Sequence, residues 1–138
     1  MKRGGILNPE LSRVVANLGH GDAVVVADAG LPIPAGVLRI DLAFAPGKPA
    51  FMEVLEALLG EMEVERAVLA AELQAAAPPA FHQGLRARLL ALPKVKVRGI
   101  ELVPHQELKR LSGGARAVVR TGEFTPYANV ILYAGVVF

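Results

Sequence analysis

The chain has no cysteine, which excludes disulfides, iron–sulfur clusters and thiol nucleophiles together. Aromatic residues are scarce at 5%, and a formal net charge of +2 is spread over 138 residues without forming a basic stripe. Nucleic-acid recognition calls for clustered Lys and Arg beside side chains on which bases stack, and neither condition is met. Long hydrophobic runs are also missing. The longest, Val130 to Phe138, is nine residues with a glycine inside, against the roughly 20 that a spanning helix requires. Lys2 and Arg3 are followed by Asn8, Glu10, Ser12 and Arg13, which interrupt any signal-peptide core. The cytoplasm is therefore the expected compartment.

What is present is hydrophobicity with no membrane segment to absorb it. The apolar share is 53% and the mean hydropathy +0.42. A chain of this length makes one domain, residues 1–138, with a real core. The surplus of apolar residues points to surface buried between subunits, hence a soluble homo-oligomer. Arginine is twice as frequent as lysine, and Asn and Gln number three each. That pattern suits a thermophile, and equally a GC-rich genome.

Strand and helix signals alternate. Asn8 before Pro9 marks a helix start, with Leu11, Val14, Val15 and Leu18 on one face and Gly19 as the stop. Val24 to Val26 reads as a strand covered on both faces. Val37 to Leu42 is a second strand, Phe51 to Met62 a helix and Ala67 to Ala71 a third strand. Pro78-Pro79 opens a helix to about Leu92, stopped by Pro93. Val95 to Val103 reads as a strand, Pro104 to Leu111 as a short helix, and Ala117 to Thr121 and Asn129 to Val137 as the last strands. This alternation predicts an α/β fold in three layers, a central sheet with helices on both faces.

Few residues are equipped for chemistry. His20 follows a helix-ending glycine, where loops rather than core packing place a side chain, and imidazole exchanges protons near neutral pH. A structural or merely exposed histidine fits the same spacing. Asp28 closes an apolar strand, the edge where α/β sheets bind ligands, although an aspartate before Gly30 also makes local turn hydrogen bonds. His20 and Asp28 thus stand at opposite ends of one buried strand. His105 opens a helix, whose amino end disfavours positive charge and suits an imidazole that accepts a hydrogen bond; alone it reads as a surface residue. Tyr127 and Asn129, in Pro126-Tyr127-Ala128-Asn129, offer a phenol and an amide that both donate and accept, in what is otherwise an ordinary turn before a strand. Glu123 reads as structural and His82 as exposed. Pro46-Gly47-Lys48-Pro49 lacks the rest of a phosphate loop. Three scattered histidines make no metal site, and no serine sits in a nucleophile elbow.

Two segments carry a resemblance that extends over nearly the whole chain. They are Leu18-Gly19-His20-Gly21-Asp22 and Ala27-Asp28-Ala29-Gly30-Leu31-Pro32-Ile33-Pro34, supported by Gly5-Ile6-Leu7-Asn8 and by Ala134-Gly135-Val136-Val137-Phe138. The chain resembles the D-ribose pyranase family, which also contains the fucose mutarotases. Arg39-Ile40-Asp41-Leu42-Ala43 and the proline spacing are similar to the ribose branch, while His20-Gly21-Asp22 is similar to both. The resemblance implies a cofactor-independent isomerase that interconverts pyranose and furanose forms of ribose ahead of phosphorylation by a kinase. It implies His20 as proton donor and Asp28, His105, Tyr127, Ala128 and Asn129 as sugar-binding positions. It further implies two rings of five subunits paired into a decamer, with His20 of one subunit facing Tyr127 and Asn129 of another. The alternatives are a fucose-type mutarotase, a sugar-binding subunit without turnover, and a scaffold oligomer.

Overall fold

The computed structural model describes residues 1–138. Six strands form one sheet: β1 (Ala23–Ala27), β2 (Leu38–Asp41), β3 (Val64–Ala70), β4 (Glu101–Val103), β5 (Ala117–Arg120) and β6 (Val130–Ala134). The helices are α1 (Pro9–Asn17), α2 (Phe51–Leu59), α3 (Leu73–Ala76), α4 (Pro79–Leu90), α5 (Pro93–Arg98) and α6 (His105–Ser112). No helix is long and apolar enough to cross a membrane.

The strand order is β2-β5-β1-β6-β3-β4. β5 lies parallel to β1 and to β2, and β4 parallel to β3, whereas β6 runs antiparallel between β1 and β3. Five strands therefore point one way, and their carboxyl ends share one edge of the sheet. β6 begins at that edge.

Period-two burial divides the central strands between two cores. Val24 and Val26, Val130 and Leu132, Ala117 and Val119 face one side, under α1, α2, α4 and α5. Val25, Ile131 and Val118 face the other, where Leu108 and Leu111 of α6 and the segment from Leu31 to Val37 cover them. The expected three layers are present. β1 is buried at every position, as its unbroken apolar run requires.

Local signals set several boundaries. The Asn8 side chain accepts from the Leu11 N–H at 2.9 Å, with Pro9 in the first turn, capping α1 as expected. The strand expected over 95–103 is corrected: residues 93–98 form α5, and only Glu101–Val103 pair with β3. Pro93 stops one helix by starting another, since its fixed φ suits a first helical turn. Val95 is fully buried and Val97 is 90% exposed, so the Lys94-Val95-Lys96-Val97-Arg98 alternation reflects no pleat. Gly99, at φ 85°, then redirects the chain into β4. The short α3 left no clear signal in the sequence.

Candidate active site

The carboxyl edge of the sheet gathers Asp28 after β1, Asp41 and Arg120 at the ends of β2 and β5, His105 just beyond β4, and the segment from Thr121 to Asn129 that leads into β6. Asp28 and Asn129 form a reciprocal pair across 101 residues of sequence. The Asp28 N–H donates to Asn129 Oδ1, and Asn129 Nδ2 donates to Asp28 Oδ2, both at 2.9 Å. Asn129 is fully buried, so its amide serves first to fix the aspartate. The Gly30 N–H takes the other carboxylate oxygen, Oδ1, at 2.9 Å. This is the local turn bond that a strand-end aspartate favours, and it coexists with the long-range pair. Asp28 is thus locked in one rotamer while facing a depression of about 410 Å³, lined also by Arg120, Glu123, Phe124 and Thr125.

The segment carrying Tyr127 is pinned at both ends. Gly122 lies so close to the loop at Ala45–Lys48 that a Cβ would meet Lys48 backbone atoms at 2.5 Å, so no other residue fits. Glu123 ties the segment down: Oε2 accepts from the Phe51 N–H at the start of α2, and Oε1 accepts from the Thr125 hydroxyl. Tyr127 itself adopts φ 61°, the one non-glycine residue at positive φ. Such a conformation costs about 1–3 kcal/mol and persists where the surroundings over-determine it, commonly at ligand sites. Its ring meets the His105 ring edge-on, 4.9 Å between centroids. Ala128 is fully buried; a methyl group makes no hydrogen bond, so only its backbone can meet a ligand.

His105 opens α6, and its backbone N–H donates to both Glu72 carboxylate oxygens at 3.1 and 3.0 Å. That hydrogen bond holds the Glu72 carboxyl below the usual carboxylate range. The His105 Nδ1 atom is buried and has no partner within the chain. A buried polar atom left unpaired is costly.

His20 lies elsewhere. It precedes β1, so it stands at the opposite edge of the sheet, and the six residue steps from Asp22 to Asp28 span about 20 Å of extended chain. No side chain bridges that gap, and His20 does not touch Asp28. Its Nε2 instead lies 2.9 Å from Glu65 Oε2, and its side chain is 60% exposed. His82, expected to be exposed, is half-buried on α4.

Three residues of these constellations were not anticipated. Arg120 Nε donates to the Ala29 carbonyl at 2.9 Å and its guanidinium bridges both Asp41 oxygens at 3.1 Å, fixing the pocket wall. Its signal was available, a charged residue closing an apolar strand just as Asp28 does. Glu72 and Glu65 had none, because their partners lie 33 and 45 residues away. No three His, Asp or Glu side chains converge in a geometry that could hold a metal.

The comparisons with known proteins agree across the chain. The model of the RbsD / FucU transport protein family matches residues 1–137. The D-ribose pyranases of Laribacter hongkongensis and Symbiobacterium thermophilum are 56% and 53% identical, each over the full length of both chains. The solved structure of Bacillus subtilis RbsD complexed with D-ribose is 49% identical, covers both chains completely and superposes with a TM-score of 0.85. The fucose mutarotase of Streptococcus pneumoniae in complex with L-fucose, also covering both chains, has a TM-score of 0.80 at 24% identity, a likeness of fold alone.

Proposed function

This chain belongs to the RbsD / FucU transport protein family, and on that premise we propose that it is an isomerase interconverting the pyranose and furanose forms of D-ribose. The observation that carries the reading is the cluster at the carboxyl edge of the sheet: a carboxylate locked by Asn129 at a pocket of about 410 Å³, and on the same edge a tyrosine at positive φ packed against an imidazole with an unpaired nitrogen. A polyhydroxylated ligand needs donors and acceptors in this mixture. The ribose assignment, rather than fucose, rests on the full-length identity to D-ribose pyranases.

Opening a sugar hemiacetal requires one proton placed on the ring oxygen and one removed from the anomeric hydroxyl. Reclosing through a different hydroxyl reverses the traffic. No electrons change hands. In this reading Asp28 accepts hydrogen bonds from sugar hydroxyls, Asn129 holds Asp28 and offers its second N–H, and Tyr127, the Ala128 backbone and His105 Nδ1 complete the cradle. His20 is the general acid. Catalysis of that kind supplies typically about 10²- to 10⁴-fold, adequate for a reaction that proceeds slowly unaided.

His20 serves this cradle only if a second subunit brings it there, because its own lies at the other edge of the sheet. Exposed apolar side chains favour such an assembly: Phe44 and Phe124 beside the pocket, and Val137 and Phe138 at the carboxyl end, where Phe138 is 99% exposed. The chain's own core leaves that end uncovered, so covering it falls to a neighbour. The assembly proposed is a homodecamer of two pentameric rings, each chain one pyranase-like domain over residues 1–138. With phosphorylation by a kinase as the next step, the reaction belongs in the cytoplasm.

Magnetisation-exchange NMR on D-ribose tests the reading. Ring-form exchange should accelerate with the protein, and His20→Ala should abolish the acceleration while ribose still binds. A His20→Ala variant at the wild-type rate removes His20 from the chemistry. Binding without acceleration by the native protein reduces it to a sugar-binding subunit.

A further inference from the structure

At the amino edge of the sheet, three features converge on His20. β3 carries a bulge against β6: Val64 pairs with Ala134 and Arg66 with Tyr133, so Glu65 is the extra residue. Bulges re-aim side chains and gather near functional sites. Strict alternation from Leu69 and Ala67 would direct residue 65 into the first core. The bulge lets Val64 fill that place and leaves Glu65 half-buried, directed to His20.

The second feature is Gly135, just beyond β6, which lies between β3, carrying Glu65, and β1, which His20 precedes. A Cβ there would come within 3.1 Å of Glu65 Cβ and 3.4 Å of Glu63 Cγ, so the bare backbone leaves room for the carboxylate. The third is the clamping of the His20 loop. The Gly21 N–H donates to the Ala134 carbonyl, the Ala134 N–H to the Asp22 carbonyl, and the Gly135 N–H to the Glu63 carbonyl, at 2.8, 2.8 and 3.0 Å. Neighbouring charges are engaged elsewhere: Asp22 with Arg116, Glu63 with Lys94, and Arg66 with Glu101.

We propose that Glu65 is the positioning residue for His20, accepting its Nε2–H at 2.9 Å and leaving Nδ1 as the atom that exchanges protons with the sugar. A carboxylate oxygen only accepts, so Nε2 carries the proton. With Nε2 so occupied, Nδ1 is the bare acceptor of the neutral ring and the donor of the imidazolium. The carboxylate stabilises the cation and fixes the ring plane, the service that a buried aspartate gives the histidine of a Ser-His-Asp triad. The inference rests on His20 being the general acid–base group.

The test uses the assembled, ¹⁵N-labelled protein with D-ribose as probe and compares Glu65→Gln, Glu65→Asp and His20→Ala. Glu65→Gln keeps the shape of the side chain, but its amide can donate as well as accept. We expect ribose exchange to fall at least about 10- to 100-fold, the loss seen when the carboxylate partner of a metal-bound histidine is removed, with ribose affinity and melting temperature unchanged. Long-range ¹H–¹⁵N spectra should show His20 passing from one tautomer, protonated at Nε2, to a mixture. Glu65→Asp should recover part of both the rate and the tautomer signature. A Glu65→Gln variant with the native rate and an unmixed Nε2–H tautomer, beside an inactive His20→Ala, overturns the role of Glu65 alone. A fully active His20→Ala overturns the role of His20 and with it that of Glu65. A rate loss in Glu65→Gln that tracks lost melting temperature, with the tautomer unaltered, marks Glu65 as structural and overturns the proposal.

Discussion

Replacing Asn129 by leucine isolates what holds the candidate sugar carboxylate. The two side chains are close in size and Asn129 is fully buried, so the change removes polarity without opening a cavity. Two hydrogen bonds vanish together, Asp28 N–H to Oδ1 and Nδ2 to Asp28 Oδ2. The Asp28 carboxylate faces a pocket, and water can replace the lost donor. The Asp28 N–H lies at the buried end of β1, and leaving it without an acceptor costs about 1–3 kcal/mol. At roughly 2–8 °C of melting temperature per kcal/mol for domains of this size range, the variant should melt several degrees below the parent at equal protein concentration. Held then by the Gly30 N–H alone, Asp28 loses its fixed rotamer. Ribose affinity should fall about tenfold or more, since 1.4 kcal/mol is one decade. Calorimetry measures both quantities. Unchanged melting together with unchanged ribose affinity would refute the claim that this pair builds the site.

Other outcomes follow from the same geometry. Asp28→Ala deletes the carboxylate and should weaken ribose binding by about tenfold or more, from the 1–3 kcal/mol attached to a lost buried polar partner; titration calorimetry decides. Glu72 has its carboxyl held low by the His105 N–H, so the unfolded chain takes up that proton first as pH falls. The resulting stability is complete above the ordinary carboxylate value and disappears as pH drops through the lower folded value. Glu72→Gln should therefore flatten part of the acid limb of melting temperature below the ordinary carboxylate range, and an unaltered limb would dismiss this contact. Light scattering should report an assembly well above a monomer at micromolar concentration; a fully active monomer would contradict a site shared between subunits.

The sequence by itself determined most of the layers. The apolar runs at Val24–Val26, Ala117–Val119 and Val130–Leu132 have no low-energy place except a sheet covered on both faces, and Asn8-Pro9 starts a helix by local chemistry alone. It also supplied the candidate residues, through the family resemblance carried by the glycine- and proline-rich turns at strand ends. The segment after Pro93 shows the limit. Val95 and Val97 alternate with Lys94, Lys96 and Arg98 as a strand would, yet a first-turn proline and the burial of Val95 against β3 make residues 93–98 a helix. Only the tertiary structure decided which polar groups meet. Asn129 reaches Asp28 because β6 is inserted antiparallel beside β1, and Glu65 reaches His20 because a bulge in β3 turns it out of the core. The same topology separates His20 from Asp28 by the length of a strand. Pairings across 45 and 101 residues leave no trace in local periodicity, since strand order and register, rather than the residues themselves, bring them into contact.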